Sequence, residues 1–383
     1  MKLENRSKSR LTVDIGSYRR RATKKSKLKS IFLATFCLFM VPLDSHAELT
    51  VEELHSPLEA NGFIQYKTPY ITGLPFEIAN IMNLWLQYSR LGSIAGHHKV
   101  SPFEKLDGTE GLTGLNYKVL DKTSSILSLE FQGQYMGAYP SDETSRTTLN
   151  IGTGQPIRLL DILSRDGAIK LNQILIDYQI SEIKNFLTKN KQRNSLEYND
   201  EKSEFDVQLE EYTKCEKMLA NETLERVQFT ITKNQLTIFR GCQFRHQIQA
   251  LDDLGEIPFT QTTAKIETFL NPYGKCLISN QGGICKPEEN SMYGVYQGVI
   301  ASRPATLILG QGDFTPVFFF EDDGAPIKLI GGELIPDSIQ LKSESNEDNP
   351  SAQQTLNLKI EKSNIITGTW QLGDGSPLPI MLH

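Results

Sequence analysis

The chain lacks the short signatures that would name a chemistry. It has six histidines in 383 residues, and no His-x-Glu-x-His spacing joins any of them. The adjacent pair His97-His98 cannot point one way from a strand or helix and reads as a glycine-bounded loop. No Cys-x-x-Cys pair is present, and no paired histidines lie near the cysteines, so the spacing does not read as zinc. A Gly-x-Ser-x-Gly elbow is absent. The glycine-rich stretch "GTGQ" (152–155) runs into Pro156 rather than into Gly-Lys-Ser/Thr and a helix, which excludes a phosphate loop. No carboxylate pair can be singled out for glycoside hydrolysis. Asp252-Asp253 and Asp322-Asp323 read as turns, Asp161 as a cap for the apolar turn that follows it, and His246 as part of a strand-like run. No catalytic residue, metal site or cofactor is therefore assigned. After residue 47 there is no transmembrane run, low-complexity tract or internal repeat.

The first 47 residues stand apart from the fold. Residues 1–30 hold eleven Lys/Arg against two acids. The apolar run "SIFLATFCLFMVPL" then spans 30–43, shorter than the roughly 20 residues that cross a bilayer. Ser45 and Ala47 supply small residues before a cleavage point. This reads as a Sec signal peptide cut after Ala47, which predicts a periplasmic or secreted protein without a stable membrane span. An uncleaved signal anchor is the alternative.

Cys37 leaves with that segment, and Cys215, Cys242, Cys276 and Cys285 remain, an even number suited to an oxidising compartment. They allow three pairings, with buried free thiols as the alternative. Cys215–Cys242 with Cys276–Cys285 is favoured, because the second pair brackets "LISNQGGI" with a tight turn at Gly282-Gly283. The first 47 residues also remove eleven of the 40 Lys/Arg and three of the 46 Asp/Glu, leaving 29 against 43 and a net charge of −14. Such a chain is a poor partner for nucleic acid or anionic membranes, and its charge suits a cationic protein.

The remaining residues exceed what one core commonly serves, and composition shifts near "KPEENSMYG" (286–294). The expectation is an α+β domain over 48–290 and an all-β domain over 291–383. The second part reads as eight short strands, at 293–301, 305–311, 314–322, 325–335, 338–345, 353–361, 364–372 and 378–383, with turn residues at most joints. Sequential strands of this kind close most simply as an up-and-down barrel, with Trp370 and Phe318–Phe320 helping to fill it. In the first part, helices are expected at 75–91, 168–190, 204–220 and 262–270. Strands are expected at 115–123, 125–136, 146–153 and 226–239, the last turning at Lys233-Asn234. Antiparallel hairpins with segregated helices make the α+β class. The stretch "GAYPSDETS" (137–145) then becomes an exposed hairpin loop. Tyr135, Tyr139 and Tyr273 sit at or near turns and are the binding candidates, since aromatic rings there can stack on sugars or anchor a protein.

The run "LSLEFQGQYMGAYPSDETSRTTLNIGTGQPIRLLDIL" resembles the RsiV/PdaC-type extracellular domain. There a strand meets Gly-Ala-His-Pro, a Thr-rich strand returns, and a Thr-Gly turn enters a helix. Here Gly137-Ala138-Tyr139-Pro140 holds that place, with Tyr139 where His is common. "FRHQIQALDDLGEIPFTQTTAKIETFL" is similar to the family's closing strand and short helix, and "TPYITGLPFEIANIMNLWL" to its proline-led strand and helix bearing an Asn. The resemblance covers roughly 60–275. It implies a non-catalytic envelope binding domain, with a lysozyme-type cationic protein or a peptidoglycan fragment as partner. A cell-wall hydrolase with an unrecognised site and a small-ligand carrier using the barrel are the alternatives.

Overall fold

The computed structural model describes residues 48–56, 65–92, 94, 103, 111–137, 140–194, 204–242, 244–279, 284–287, 293–310, 314–322, 325–331, 334–335, 338–344, 353–361 and 365–383. Residues Ala47–His383 form one compact unit. The expected signal peptide, Tyr139, the His97-His98 pair and the Gly282-Gly283 turn lie outside the described residues.

The chain begins with strands β1 (Thr50–His55) and β2 (Gln65–Thr72), helix α1 (Phe76–Leu91), and strands β3 (Leu112–Lys122), β4 (Ile126–Met136) and β5 (Pro140–Asn150). They form a five-stranded sheet in sequence order. All neighbours are antiparallel except β2 and β3, which pair in parallel at Gln65–Tyr66 against Gly114–Leu115. Helix α1 lies between those two strands, and a crossover is what parallel neighbours need. Its apolar stripe buries Met82, Trp85 and Leu86 against Leu127, Leu129 and Phe131 of β4. The left-handed Gly92 stops the helix, its N–H donating to the Tyr88 carbonyl.

Helices α2 (Arg165–Asn194) and α3 (Glu204–Leu219) follow, then strands β6 (Gln228–Thr232), β7 (Gln235–Gly241) and β8 (Glu256–Thr262) in a three-stranded antiparallel sheet. Lys233-Asn234 is the turn between β6 and β7. Short helices α4 (Thr263–Ile266) and α5 (Pro272–Ser279) close this part. Two disulfides join Cys215 to Cys242 and Cys276 to Cys285, the favoured pairing.

The remaining strands are β9 (Gly294–Ile300), β10 (Arg303–Leu309), β11 (Val317–Phe320), β12 (Ile327–Ile330), β13 (Leu334–Ile335), β14 (Ser338–Ser343), β15 (Gln354–Ile360), β16 (Ile366–Leu372) and β17 (Leu378–Leu382). Each of the eight longer strands pairs antiparallel with the next, β12 reaching past the two-residue β13 to β14, and β17 returns to β9. The expected eight-stranded up-and-down barrel is thus closed. Its interior is packed with Tyr296, Leu307, Phe318, Phe320, Leu341, Leu356, Leu358 and Ile380. Trp370 packs edge-on to Phe320 at 5.8 Å, and its indole N–H donates to Gln354 Oε1 at 2.8 Å.

The barrel wall is not uniform. Phe318 and Phe320 point inward, while Val317 and Phe319 join the core built around α1. That is why "VFFF" is apolar at every position: both faces of β11 are covered. The contact is aromatic. Trp85 stacks on Phe314 at 5.1 Å and meets Tyr293 edge-on at 4.9 Å, and Tyr88 Oη donates to the Thr315 carbonyl at 3.0 Å. Burial there pushes the Tyr88 hydroxyl up to about 12.

Several expectations change. β5 begins at Pro140, so most of 137–145 is strand rather than loop. Its first half is polar because it is exposed, and the ladder to β4 holds it without an apolar face. Residues His246–Leu251 form a 3-10 turn, not a strand. β1 and α5 were absent from the sequence expectation. β1 is short and mostly exposed, so it carries little alternation, and α5 spans only two turns.

Candidate functional site

Of the binding candidates that sequence singled out, Tyr135 lies on β4 and Tyr273 on α5, and the two faces of β4 differ. From Phe131 to Met136, β4 alternates strictly. Phe131, Gly133 and Tyr135 lie on the side of α1, and Gln132, Gln134 and Met136 are exposed on the other. A strand sends successive side chains to opposite faces, so Tyr135 and its glutamine neighbours serve different surfaces.

Tyr135 packs against the α1 core, its ring over Gly133, where a Cβ would lie 2.9 Å from the ring edge. Burial raises its hydroxyl above the usual tyrosine range, Glu143 adds to this, and Arg90 opposes it. Arg90 itself stacks on Phe131 at 4.6 Å and donates to Ser145 Oγ. Tyr273 is 5% exposed in the core of the α2 side, and its hydroxyl accepts from Asn150 Nδ2 at 2.9 Å. The ring is used for packing, which leaves it no face for a ligand. Burial raises its hydroxyl further than that of Tyr135. Tyr135 and Tyr273 therefore belong to different cores and are not brought together.

On the opposite face the second sheet covers only part of the first. Ser128 Oγ donates to the Ile231 carbonyl at 2.6 Å, and Gln228 Nε2 to the Thr144 carbonyl at 3.4 Å. Arg146 bonds Glu130 at 2.9 Å and Glu256 at 2.8 Å, its guanidinium 3.5 Å above the Phe239 ring. Beyond this border the sheet is open, and a cleft of about 290 Å³ lies on it, lined by Lys67, Thr113, Gly114, Leu115, Asn116, Gln132 and Gln134.

The cross-strand register builds this cleft. Asn116 stands opposite Gln132, and Gly114 opposite Gln134. Thr113 Oγ1 donates to the Gln134 carbonyl at 3.1 Å, and Asn116 Oδ1 accepts from the Tyr117 amide at 2.9 Å, leaving Asn116 Nδ2 as a donor. Among the described residues, the side-chain amides of Gln132 and Gln134 have no protein partner. Lys67 faces Glu53 at 3.6 Å. The set offers neutral donors and acceptors with one countered ammonium group, which is binding chemistry. The signal was present in the sequence as the row Gln132-x-Gln134, polar against an apolar row, but single glutamines on a strand read as ordinary solvated surface.

Two other singled-out carboxylates are structural. Asp161 accepts from the Arg158 backbone N–H at 2.9 Å and caps the turn at Leu159–Ile162. Asp252 accepts from Tyr212 Oη at 2.7 Å and from the Gly255 N–H at 3.1 Å. Among the described residues no group of three His, Cys, Asp or Glu is placed to hold a metal ion, and no helix is long and apolar enough to cross a membrane.

No family model matches the chain, and no curated protein matches it. Among solved structures it is similar to a member of the DUF3298 family from Bacteroides fragilis, with a TM-score of 0.38 and 10% sequence identity over 61% of this chain and 97% of that one. No residue role follows from a likeness at this level.

Proposed function

We propose that this is an exported, non-catalytic binding protein of the cell envelope, and that the cleft on β3 and β4 is its ligand seat. The observation that carries the reading is the pair of exposed glutamine amides, without a protein partner among the described residues, that line a polar cleft beside the second sheet. Exposed amides exchange water for a polar ligand's donors and acceptors at little desolvation cost in an open cleft. The RsiV/PdaC-type resemblance and the signal-like N-terminus support export. The two disulfides agree with an oxidising compartment.

A peptidoglycan-derived glycan suits the cleft better than a lysozyme-type protein does, because the lining is small, neutral and hydrogen-bonding. The protein partner draws its support from charge alone, a net −14 for residues 48–383. Calorimetric titration of the purified protein with soluble peptidoglycan fragments and with lysozyme, each at two salt concentrations, separates them. Fragment binding that barely changes with salt is the expected result. Salt-sensitive lysozyme binding would shift the reading to the acidic surface. Binding of neither removes the proposal.

A further inference from the structure

We infer that the ligand is a neutral oligosaccharide of at least two units lying along β4, with an acetamido group seated among Asn116, Gln132 and Gln134 and the neighbouring ring resting on Met136. This rests on the binding role proposed for the cleft.

The first argument is spacing. Gln132, Gln134 and Met136 are alternate residues of one strand, all exposed on one face. A strand rises about 3.3 Å per residue, so the row from Gln132 to Met136 runs about 13 Å. That length exceeds one sugar ring and accommodates a disaccharide. The chemistry changes along it, from two amides to a thioether that is 55% exposed. An acetamido group needs both a donor and an acceptor, which a primary amide supplies. The flatter, carbon-bearing face of a sugar ring needs an apolar, polarisable surface, which Met supplies.

The second argument is Gly114. Its backbone is not left-handed, so the conformation does not demand glycine. A Cβ there would sit 2.9 Å from Gln134 Oε1. The missing side chain therefore makes room for the Gln134 amide and for the cleft beneath it. The blocking atom is the end of a flexible side chain, so alanine at this position disturbs the cleft and leaves the fold intact.

The third argument is charge. Among the described residues, the cleft lining holds one charged side chain, Lys67, and Glu53 counters it at 3.6 Å. The other lining groups are neutral, so the occupant is neutral.

The test is calorimetric titration of the purified protein with chitooligosaccharides of one to four units and, separately, with muropeptides carrying stem peptides. Two or more units are expected to bind at least about tenfold more tightly than the monosaccharide, about 1.4 kcal/mol. Met136→Ala should remove that gain and leave the monosaccharide affinity unchanged. Gly114→Ala and the double variant Gln132→Ala/Gln134→Ala should weaken every oligosaccharide about tenfold or more, with circular dichroism and melting unchanged. Affinity independent of length, or a Met136→Ala variant that matches the wild type, overturns the arrangement. Muropeptide binding without chitooligosaccharide binding overturns it too, while leaving the binding role in place. Binding of neither probe removes both.

Discussion

At the residue scale, two side-chain amides pair with backbone groups as a neighbouring strand would. Asn83, buried on α1, accepts from the Ile71 N–H at 2.7 Å and donates to the Ile71 carbonyl at 3.0 Å. β2 needs this because β3 pairs with it only at Gln65 and Tyr66 and then diverges. Gln155 does the same for Val295 at the start of the barrel, donating to its carbonyl at 2.6 Å and accepting from its N–H at 2.9 Å. Buried backbone groups left unpaired cost free energy, so each amide fixes where a chain segment runs. Asp252 shows the opposite balance. Burial raises its carboxyl above the usual range, against hydrogen bonds from Tyr212 and Gly255 that hold it down. A raised acid binds its proton more tightly folded than unfolded. Its ionisation therefore destabilises the fold as pH rises through the unfolded value, and fully so above the folded one. Asp252→Asn keeps the acceptor and removes the charge. Urea denaturation from pH 4 to pH 7 should show the wild type losing more stability than the variant over that rise. Parallel curves would show that the carboxylate is solvated well enough to titrate normally.

At the element scale, alternation was legible wherever one face of a strand is covered and one is wet. Leu356 and Leu358 point into the barrel, and Phe131 and Gln132 part to opposite sides of β4. The exposed half of β5 defeated the same reasoning, because a strand wet on both sides has no periodic signal. The disulfides act on elements too. Cys215–Cys242 ties α3 to the end of β7 across 27 residues, and Cys276–Cys285 closes 9 residues beside α5. The chain-entropy model predicts losses of about 3.5 kcal/mol for the double alanine variant of the first and about 2.7 kcal/mol for the second. Equilibrium urea unfolding under non-reducing conditions checks the order. A larger loss for the shorter loop would mean that packing around Cys285, which belongs to the core of Leu171 and Phe229, outweighs loop closure.

At the scale of the whole molecule, the barrel and the five-stranded sheet share one hydrophobic core through α1. Trp85 is its centre, set between Phe314, Tyr293 and the sheet, with its indole N–H donating to Thr147 Oγ1 at 3.3 Å. Trp85→Ala should lower stability by about 3–5 kcal/mol and split a single calorimetric transition into two as the barrel uncouples. One transition at the wild-type temperature would show that the Gln155 bonds to Val295 suffice to hold the parts together.

The sequence by itself determined the class of each part, the eight barrel strands and the cysteine pairing it favoured. Each depends on local period, turn chemistry or spacing along the chain. Only the tertiary structure decided the parallel pairing of β2 with β3, the burial of Tyr273 and the face of β4 that stays open. Those depend on what packs against a surface. The three-stranded sheet stops at Arg146 and leaves Gln132 and Gln134 uncovered, and no residue's own preference encodes where a neighbouring sheet ends.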